Sequence, residues 1–307
     1  MIKRIITGGC SFSDQWTETS WIYSLQNKLK ESYPDVTFNH TGFGSQGNEL
    51  IQKKMSLALF EDLQTYKPDE ILMLPMWSGT ERKAFWIDNK DMIQEIAESW
   101  PKLGIFGNLQ FHDLHSQANH DNIKIVNAGE MDGFPKNTRY NTEGGWYHCN
   151  FVMPDSKLSI EYFKSCETLI GFATVSLENI IFLQNLCKVQ GVKILQSFYR
   201  SYVLEDIEKH KDHLNINYLY NLWDKETLIS TTGIYEYLRP YPVEDSNYPG
   251  PPMPYKNLFR HIWRTGSYED ETKKYFLSDN WHPSKLGSDK WVDEVLFPKL
   301  QKENIFQ

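Results

Sequence analysis

The sequence predicts an α/β protein built around a parallel β-sheet. Short apolar runs that end in glycine or polar turn residues alternate with longer amphipathic segments, and this alternation resumes in the second half of the chain. Such alternation is typical of strand–helix–strand units, whose right-handed crossovers make neighbouring strands parallel. The 307 residues are predicted to form one domain, 1–307. Two large insertions, at about 83–160 and 199–278, are expected to form a cap or cleft wall.

The first half of the chain contains three predicted strands and two predicted helices. Each strand is a short apolar run, whereas the helices repeat apolar residues at intervals of three and four. The first helix is expected to stop before Pro34, because the residue preceding a proline is disfavoured in the helical conformation. The elements follow in the order strand 3–7, helix 21–33, strand 36–38, helix 50–63 and strand 70–76.

The strand and helix pattern returns after the first insertion. A long apolar segment over 167–189, followed by Gly191, predicts a helix with a glycine stop. Residues 192–198 (VKILQSF) predict a fourth strand. The chain closes with a predicted helix over 284–300, for which Ser284 is the expected N-cap.

Composition and charge exclude several classes of partner. A net charge of −8 argues against broad binding to nucleic acid, which requires clustered lysine and arginine. No run approaches the roughly 20 apolar residues of a membrane-spanning helix. The N-terminus turns into Gly8 and Gly9 before a signal-peptide hydrophobic region forms, so we expect a cytoplasmic or otherwise soluble intracellular protein. The four cysteines contain no CxxC pair, which favours unpaired thiols.

Two short loops at opposite ends of the chain carry the strongest functional signal. Residues 8–13 (GGCSFS) follow the first predicted strand, and residues 278–284 (SDNWHPS) precede the last predicted helix. This pair resembles the SGNH/GDSL hydrolases, a family of GDSL-like lipases, acylhydrolases and esterases. There a Gly-x-Ser follows the first strand and an Asp-x-x-His precedes the final helix. The resemblance implies a flavodoxin-like three-layer α/β/α sandwich, with Ser11 as nucleophile, His282 as general base and Asp279 as its orienting partner.

The chemistry of these side chains agrees with that assignment. A serine hydroxyl is a poor nucleophile unless a neighbouring imidazole accepts its proton, so Ser11 requires His282 nearby. The Asp-x-x-His spacing lets one compact turn hold both side chains toward one pocket, where the carboxylate of Asp279 fixes the imidazole tautomer. The N–H of Ser11, at a strand-to-helix turn, is a natural donor to the oxyanion of a tetrahedral intermediate. No metal or organic cofactor is expected.

The second loop is predicted to supply another oxyanion donor. Residues 39–48 (NHTGFGSQGN) are similar to the second block of the family, whose glycine N–H binds the oxyanion. We assign this role to the N–H of Gly44, with Gly42 and Ser45 as alternatives.

The third loop departs from the family pattern. Where the family has Gly-x-Asn-Asp, this chain has residues 76–82 (MWSGTER), which contain no asparagine. The candidates for a third oxyanion donor are therefore the hydroxyl of Ser78, the N–H of Gly79 and the side chain of Asn48. Loss of one such donor typically lowers the rate by about 10²–10³.

Other interpretations of the same residues compete with the catalytic one. Ser13 is a rival hydroxyl, and Cys10 would be a nucleophile only if its thiolate were stabilised. Residues 42–47 satisfy the G-x-G-x-x-G pattern of dinucleotide-binding loops, but that fingerprint belongs after the first strand of its unit. The histidines and aspartates of residues 112–121 suggest a metal site, although a solvated loop is the favoured interpretation.

The predicted function is that of a serine esterase or acylhydrolase that cleaves a small acyl ester. The family resemblance implies O-acetyl groups on carbohydrates as substrates. Aromatic residues of the insertions, such as Trp86 and Trp146, would suit a sugar, and the alternative is that they form a small core of the insertion itself. An acyltransferase would use the same three residues and differ only in the final acceptor. A further alternative is a weakly active or inactive protein of this fold that binds glycans or has a structural role. The expected partner is a small acyl ester or acylated carbohydrate.

Overall fold

The computed structural model of this chain is a mixed α/β protein. The residues that it describes are 1–13, 18–44, 46–80, 82–87, 108–111, 124–127, 145–150, 169–239, 274–277 and 282–307. In chain order its strands are β1 (Arg4–Gly8), β2 (Thr37–His40), β3 (Ile71–Trp77), β4 (Arg82–Ile87), β5 (Asn108–Phe111), β6 (Lys124–Asn127), β7 (Gly145–Asn150), β8 (Lys193–Ile194) and β9 (Ser197–Phe198). Its helices are α1 (Trp21–Ser32), α2 (Asn48–Asp62), α3 (Leu169–Gln190), α4 (Tyr202–Lys209), α5 (Leu214–Leu222), α6 (Ile234–Leu238), α7 (Lys285–Trp291) and α8 (Phe297–Lys302).

The central sheet is parallel and has the order β2-β1-β3-β8, with β9 also paired to β3. In the register, Ile5 of β1 lies opposite both Phe38 of β2 and Leu72 of β3. The chain therefore moves to one side of β1 for β2 and to the other side for β3. At such a switch of direction a crevice opens beyond the carboxyl ends of the strands, and ligands of open α/β sheets bind there. The loops that follow β1 and β3 meet at this crevice.

The sheet is the centre of the hydrophobic core. Strand β3 is buried along its whole length, and Ile5 and Ile6 of β1 have no exposed surface. Strands buried on both faces read as continuous apolar runs, which explains why these strands were recognisable in the sequence. Each fully buried isoleucine or leucine contributes about 1.5–3 kcal/mol relative to an exposed one.

The fourth predicted strand is present but interrupted, and the prediction of one continuous strand over 192–198 was wrong in this respect. Both halves, β8 and β9, pair with β3. Between β8 and β9 the backbone of Gln196 is hydrogen-bonded to residues 227–229. Its N–H donates to the Thr227 carbonyl and its carbonyl accepts from the Ile229 N–H, each at 2.8 Å. This second partner draws the chain away from β3 at the interruption.

The segments predicted as insertions differ in how they are built. In the first, β4 pairs with β7 and β5 pairs with β6, both antiparallel. Most of this segment, like most of residues 240–281, lies outside the described residues, so its role as a cap stays a prediction. Residues 199–239 of the second segment contribute buried side chains to the same core as the sheet, among them Tyr202, Val203, Ile207, Ile216, Leu219, Ile234 and Tyr235.

The C-terminal helix begins as predicted. The Oγ of Ser284 accepts a hydrogen bond from the Gly287 N–H at 3.2 Å, which satisfies one of the unpaired amides of the first turn. A π-helical turn over Val292–Leu296 separates α7 from α8, and the Phe297 N–H donates to the Val292 carbonyl. Pro298 explains the wider turn, since its ring clashes with the carbonyl four residues earlier in a regular α-helix.

Helix α3 is apolar enough to be compared with a membrane span. Its segment Ile170–Gln190 has a mean hydropathy of 1.3 and is the one described helix that passes such a test by length and composition. Core helices of soluble proteins have the same composition, and Ala173, Leu177 and Ile180 are fully buried. This helix is therefore compatible with a soluble protein.

Candidate active site

Ser11 lies in a single 3₁₀ turn, Ser11–Ser13, that directly follows β1. The turn is closed by a hydrogen bond from the Ser13 N–H to the Cys10 carbonyl at 2.8 Å. Ser11 is half-buried, whereas the residues on either side of it, Cys10 and Phe12, are buried. Ser11 is thus the residue of this turn that keeps a solvent-accessible surface, and Cys10 belongs to the hydrophobic core.

The rival hydroxyl, Ser13, has a structural partner. Its side chain has no exposed surface, and its Oγ accepts a hydrogen bond from the Trp21 Nε1–H at 2.8 Å. The ring of Trp21 also packs edge-on against Trp291 of α7, with centroids 5.7 Å apart. Ser13 therefore ties the serine turn to α1 and, through Trp21, to the C-terminal helix.

The second loop packs directly on the serine turn. A Cβ placed on Gly42 would lie 1.9 Å from the Ser13 carbonyl oxygen, so only glycine fits at this position. The Phe43 N–H donates to the Gly9 carbonyl at 3.1 Å, which fixes the loop against the end of β1. These two contacts bring the predicted oxyanion loop beside Ser11.

Two backbone donors of this region are available for a ligand. Within the described part of the chain, the N–H groups of Ser11 and Gly44 make no hydrogen bond. Gly44 is half-buried, as is Ser11. An oxyanion hole requires such unoccupied donors. Gly42 and Gly44 both remain candidates, whereas Ser45 lies outside the described residues.

Asn48 and Ser78 form a buried pair that holds the third loop. The Asn48 Oδ1 accepts from the Ser78 N–H at 2.7 Å, and its Nδ2 donates to the Ser78 carbonyl at 3.2 Å. The Nδ2 also donates to the Ser176 hydroxyl at 3.1 Å. Both amide hydrogens of Asn48 are thus engaged within the protein, so Asn48 acts by positioning the loop after β3.

The side-chain hydroxyl of Ser78 differs from the side-chain amide of Asn48 in its hydrogen bonding. Its Oγ is buried and has no hydrogen-bond partner among the residues that the structure describes. A buried hydroxyl without a partner costs about 1–3 kcal/mol, which a water molecule or ligand would offset. The neighbouring Gly79 carbonyl accepts from the Arg82 N–H at 3.2 Å. The Ser78 hydroxyl and the Gly79 N–H both stay predictions for the third donor of the oxyanion hole.

His282 begins a short segment, residues 282–284, whose backbone is paired with residues 275–277. Its carbonyl accepts from the Leu277 N–H at 2.8 Å, and Pro283 forms an antiparallel bridge with Phe276. The Ser284 N–H in turn donates to the Tyr275 carbonyl at 2.8 Å. These bonds hold the His282 backbone immediately before α7. Asp279, the predicted orienting carboxylate, lies outside the described residues.

The His282 ring reaches the serine turn. It lies against the ring of Phe12, with centroids 5.4 Å apart and planes inclined by 47°. Phe12 is the residue that follows Ser11, so the structure brings together the two predicted motifs from opposite ends of the chain. His282 is half-buried.

A residue at the end of the fourth predicted strand, Tyr199, forms a wall of the candidate site that the sequence interpretation missed. Tyr199 directly follows β9, and its ring packs edge-on against Phe12 with centroids 5.1 Å apart. The Tyr199 and Tyr202 hydroxyls are hydrogen-bonded at 2.6 Å. A signal was present, because Tyr199 follows the end of a predicted parallel strand, where ligands of such sheets bind.

A buried ion pair stabilises this wall. The Arg200 Nε donates to the Glu236 Oε1 at 3.0 Å, and the Ser201 N–H donates to the Glu236 Oε2 at 2.7 Å. The guanidinium of Arg200 also lies over the ring of Tyr235, 4.4 Å from its centroid. Both charges are removed from water, so each depends on the other for compensation.

His40, at the end of β2, is kept neutral. Its Nδ1 lies 2.8 Å from the Thr7 Oγ1. Burial, with a smaller effect from the positive charge of Arg4, lowers the pKa of His40 to about 4. At neutral pH this imidazole is an uncharged part of the sheet.

The described residues offer no alternative metal centre. Within the ranges that the structure describes, no group of three His, Cys, Asp or Glu side chains is arranged to hold an ion. The histidines of residues 112–121 lie outside the described residues.

Comparisons with protein-family models and with curated protein sequences found no match to this chain.

Proposed function

We propose that this chain is a serine esterase or acylhydrolase of the SGNH/GDSL type, with a flavodoxin-like three-layer arrangement. The observation that carries the proposal is the contact between the His282 ring and Phe12, the neighbour of Ser11. The strand order β2-β1-β3-β8 supports the layer arrangement, since it is the start of the flavodoxin-like order.

In the proposed mechanism, the Ser11 Oγ attacks the ester carbonyl while His282 accepts the hydroxyl proton. The negative charge that develops on the carbonyl oxygen is stabilised by the N–H groups of Ser11 and Gly44, with the Ser78 hydroxyl as a third donor. His282 then protonates the departing alcohol, and the acyl group stays on Ser11. A water molecule, deprotonated by His282, releases the acid and restores the serine. Asp279 is assigned the role of orienting His282.

The proposed substrate is a small acyl ester, and the family resemblance favours an O-acetyl group on a carbohydrate. Release of acetate from an acetylated sugar tests this assignment, and transfer of acetate to an added acceptor sugar would instead identify an acyltransferase. Both reactions begin with the same acyl-enzyme, so product analysis separates them.

The activity is tested by hydrolysis of 4-nitrophenyl acetate by the wild type, Ser11→Ala and His282→Gln. We expect each substitution to lower kcat by about 10⁴-fold, because each removes a partner of the proton transfer. His213→Gln, which changes an exposed histidine outside the candidate site, is the matched control and should retain wild-type activity.

Two results would contradict the proposal. Undiminished turnover by Ser11→Ala would exclude this serine as nucleophile. A folded wild type that hydrolyses no ester would exclude the hydrolase and favour a glycan-binding or structural role.

A further inference from the structure

The side-chain amide of Asn48 links α2, α3 and the loop that follows β3. Asn48 is the first residue of α2 and is buried. Two of its hydrogen bonds go to the backbone of Ser78, and a third goes to the hydroxyl of Ser176 in α3. All three distances lie between 2.7 and 3.2 Å. One side chain therefore connects three separate segments at the end of the sheet where Ser11 lies.

The amide of Asn48 pairs with Ser78 in the way that a neighbouring strand would. Its oxygen accepts from the Ser78 N–H and its nitrogen donates to the Ser78 carbonyl, so one side chain pairs both backbone polar groups of one residue. Because hydrogen bonds are directional, two of them fix the rotation of the Ser78 backbone as well as its distance from α2. The position of the Ser78 hydroxyl, which this backbone carries, therefore depends on Asn48.

Ser176 determines which end of the amide faces Ser78. Its Oγ accepts from the Asn48 Nδ2 at 3.1 Å, so the amide nitrogen has acceptors on two sides. An amide turned by half a rotation would set its oxygen against the Ser78 carbonyl and its nitrogen against the Ser78 N–H, and both bonds would be lost. Ser176 is buried on α3, which packs against α2. The longest helix of the described chain thus supports the orientation of Asn48.

The third loop is also held beyond Ser78. A Cβ on Gly47, the residue before Asn48, would lie 2.6 Å from the Arg82 carbonyl oxygen, so the two backbones are in close contact. The Gly79 carbonyl accepts from the Arg82 N–H at 3.2 Å. The start of α2 therefore holds the third loop on both sides of Gly79.

The third loop begins beside the serine turn. Gly8 of β1 lies opposite Pro75 of β3 in the parallel register. A Cβ on Gly9 would lie 2.9 Å from the carbonyl oxygen of Met76, two residues before Ser78. The chain segments that lead to Ser11 and to Ser78 are therefore in contact, and a displacement of Ser78 changes the surroundings of Ser11.

We propose that Asn48 and Ser176 are positioning residues, which hold the Ser78 hydroxyl as the third donor to the oxyanion. The inference rests on the proposed esterase function and assigns a role in that reaction to two buried residues that act through Ser78. A donor that stabilises the charge of the transition state alone raises kcat and leaves KM nearly unchanged. Loss of either positioning residue should therefore lower kcat and have little effect on KM.

The first test is a double-mutant cycle in the hydrolysis of 4-nitrophenyl acetate. Asn48→Ala and Ser78→Ala should each lower kcat by about 10²-fold, the usual effect of losing one oxyanion donor. If Asn48 acts through Ser78, the double variant should be no slower than the slower single variant. Independent roles would instead multiply to a loss of about 10⁴-fold.

Ser176→Ala tests the second positioning residue by removing one oxygen atom. Asn48 keeps its bonds to Ser78 but loses the acceptor that fixes its orientation, so we expect kcat to fall about 3- to 10-fold. This fall should vanish in the Ser78→Ala background, where no hydroxyl is left to position.

Gln52→Ala is the matched control for the loss of a buried amide from α2. Gln52 lies one turn after Asn48, and its Nε2 donates to the hydroxyl of Ser56 in the same helix at 2.9 Å. It should retain the wild-type kcat. If Asn48→Ala does not fold, Asn48→Asp takes its place in the cycle. Its carboxylate still accepts from the Ser78 N–H but opposes the Ser78 carbonyl, so it should also lower kcat.

Three results would overturn the inference and leave the esterase intact. They are a wild-type kcat in Ser78→Ala, an effect of Asn48→Ala that persists undiminished in the Ser78→Ala background, and equal losses in folded Asn48→Ala and Gln52→Ala. A folded wild type that hydrolyses no ester would remove the esterase and this inference with it. The two kinds of failure are therefore distinguishable.

Discussion

The imidazole of His282 packs against the ring of Phe12, with the ring centroids 5.4 Å apart. This contact joins the first strand-end turn to the segment before the C-terminal helix. The packing of α1 against α7 supports this contact, and in it the rings of Trp21 and Trp291 meet edge-on. The Ser288 hydroxyl adds a hydrogen bond to the Thr19 carbonyl at 2.5 Å. The approach of His282 to the serine turn is therefore a consequence of how α1 and α7 pack.

Ser13 and Ser24 provide a matched pair for testing the structural role of Ser13. Ser13→Ala leaves the buried Trp21 Nε1–H without its acceptor and should lower the free energy of unfolding by about 1–3 kcal/mol. Ser24 is also buried, but its hydroxyl has no hydrogen-bond partner in the described part of the chain, so Ser24→Ala should be neutral or stabilising. Urea unfolding of both variants measures the difference. Equal effects would contradict the assignment of Ser13 as a tie between the turn and α1.

Gly42→Ala should be among the more destabilising single-methyl changes in this chain. The added Cβ would overlap the Ser13 carbonyl oxygen, and relieving the overlap requires the second loop to move away from Ser11. We expect a loss of about 3 kcal/mol and a fall in esterase activity. Gly191→Ala is the control, because its Cβ would have space and only its φ of +73° is unfavourable, at about 1–2 kcal/mol. A Gly42→Ala variant as stable and active as Gly191→Ala would contradict the close packing of the two loops.

His40 should make the fold less stable in mild acid. Its pKa is about 4 in the folded chain, below the ordinary value of 6.5, so the unfolded state takes up a proton first as the pH falls. The contribution of His40 is fully present above pH 6.5 and is lost between pH 6.5 and about 4, by roughly 3 kcal/mol in total. His40→Gln should flatten the dependence of the unfolding free energy on pH in this range. An unchanged slope in His40→Gln would refute the assignment.

The Arg200–Glu236 pair should be more important to stability than any surface pair. Glu236→Gln leaves the buried guanidinium uncompensated and should cost about 3–5 kcal/mol. The control is Asp289→Asn, which breaks the solvent-accessible pair between Asp289 and Lys285 and should cost at most about 0.5 kcal/mol. Thermal or urea unfolding compares the two variants, and similar losses would show that the Arg200–Glu236 pair is dispensable.

The sequence predicted the sheet and its helices because their patterns are local. Strand β3 is an uninterrupted apolar run, and the C-terminal helix has its capping serine at the expected position, Ser284. The break between β8 and β9 was not predictable, because it depends on backbone hydrogen bonds that Gln196 donates to the distant Thr227 and accepts from the distant Ile229. Long-range pairing of this kind leaves no periodic signal in the strand itself.

The candidate site was predictable where a motif marked it and not elsewhere. The approach of His282 to the serine turn follows from two short motifs and a parallel topology. The positioning role of Asn48 depends on the backbone of Ser78, which is distant in the sequence and hydrogen-bonded to Asn48 in the folded chain. The wall formed by Tyr199 depends on the packing of its ring against Phe12, at the end of a separate strand, which neither sequence segment reveals alone.

The most direct test of this account is to locate the adduct of a fluorophosphonate probe by mass spectrometry. The account predicts one modified residue, Ser11, with labelling abolished in Ser11→Ala, strongly slowed in His282→Gln and retained in folded Ser13→Ala. An adduct on Ser13 or on another residue, or labelling that persists in Ser11→Ala, would contradict the assignment of Ser11 as the nucleophile.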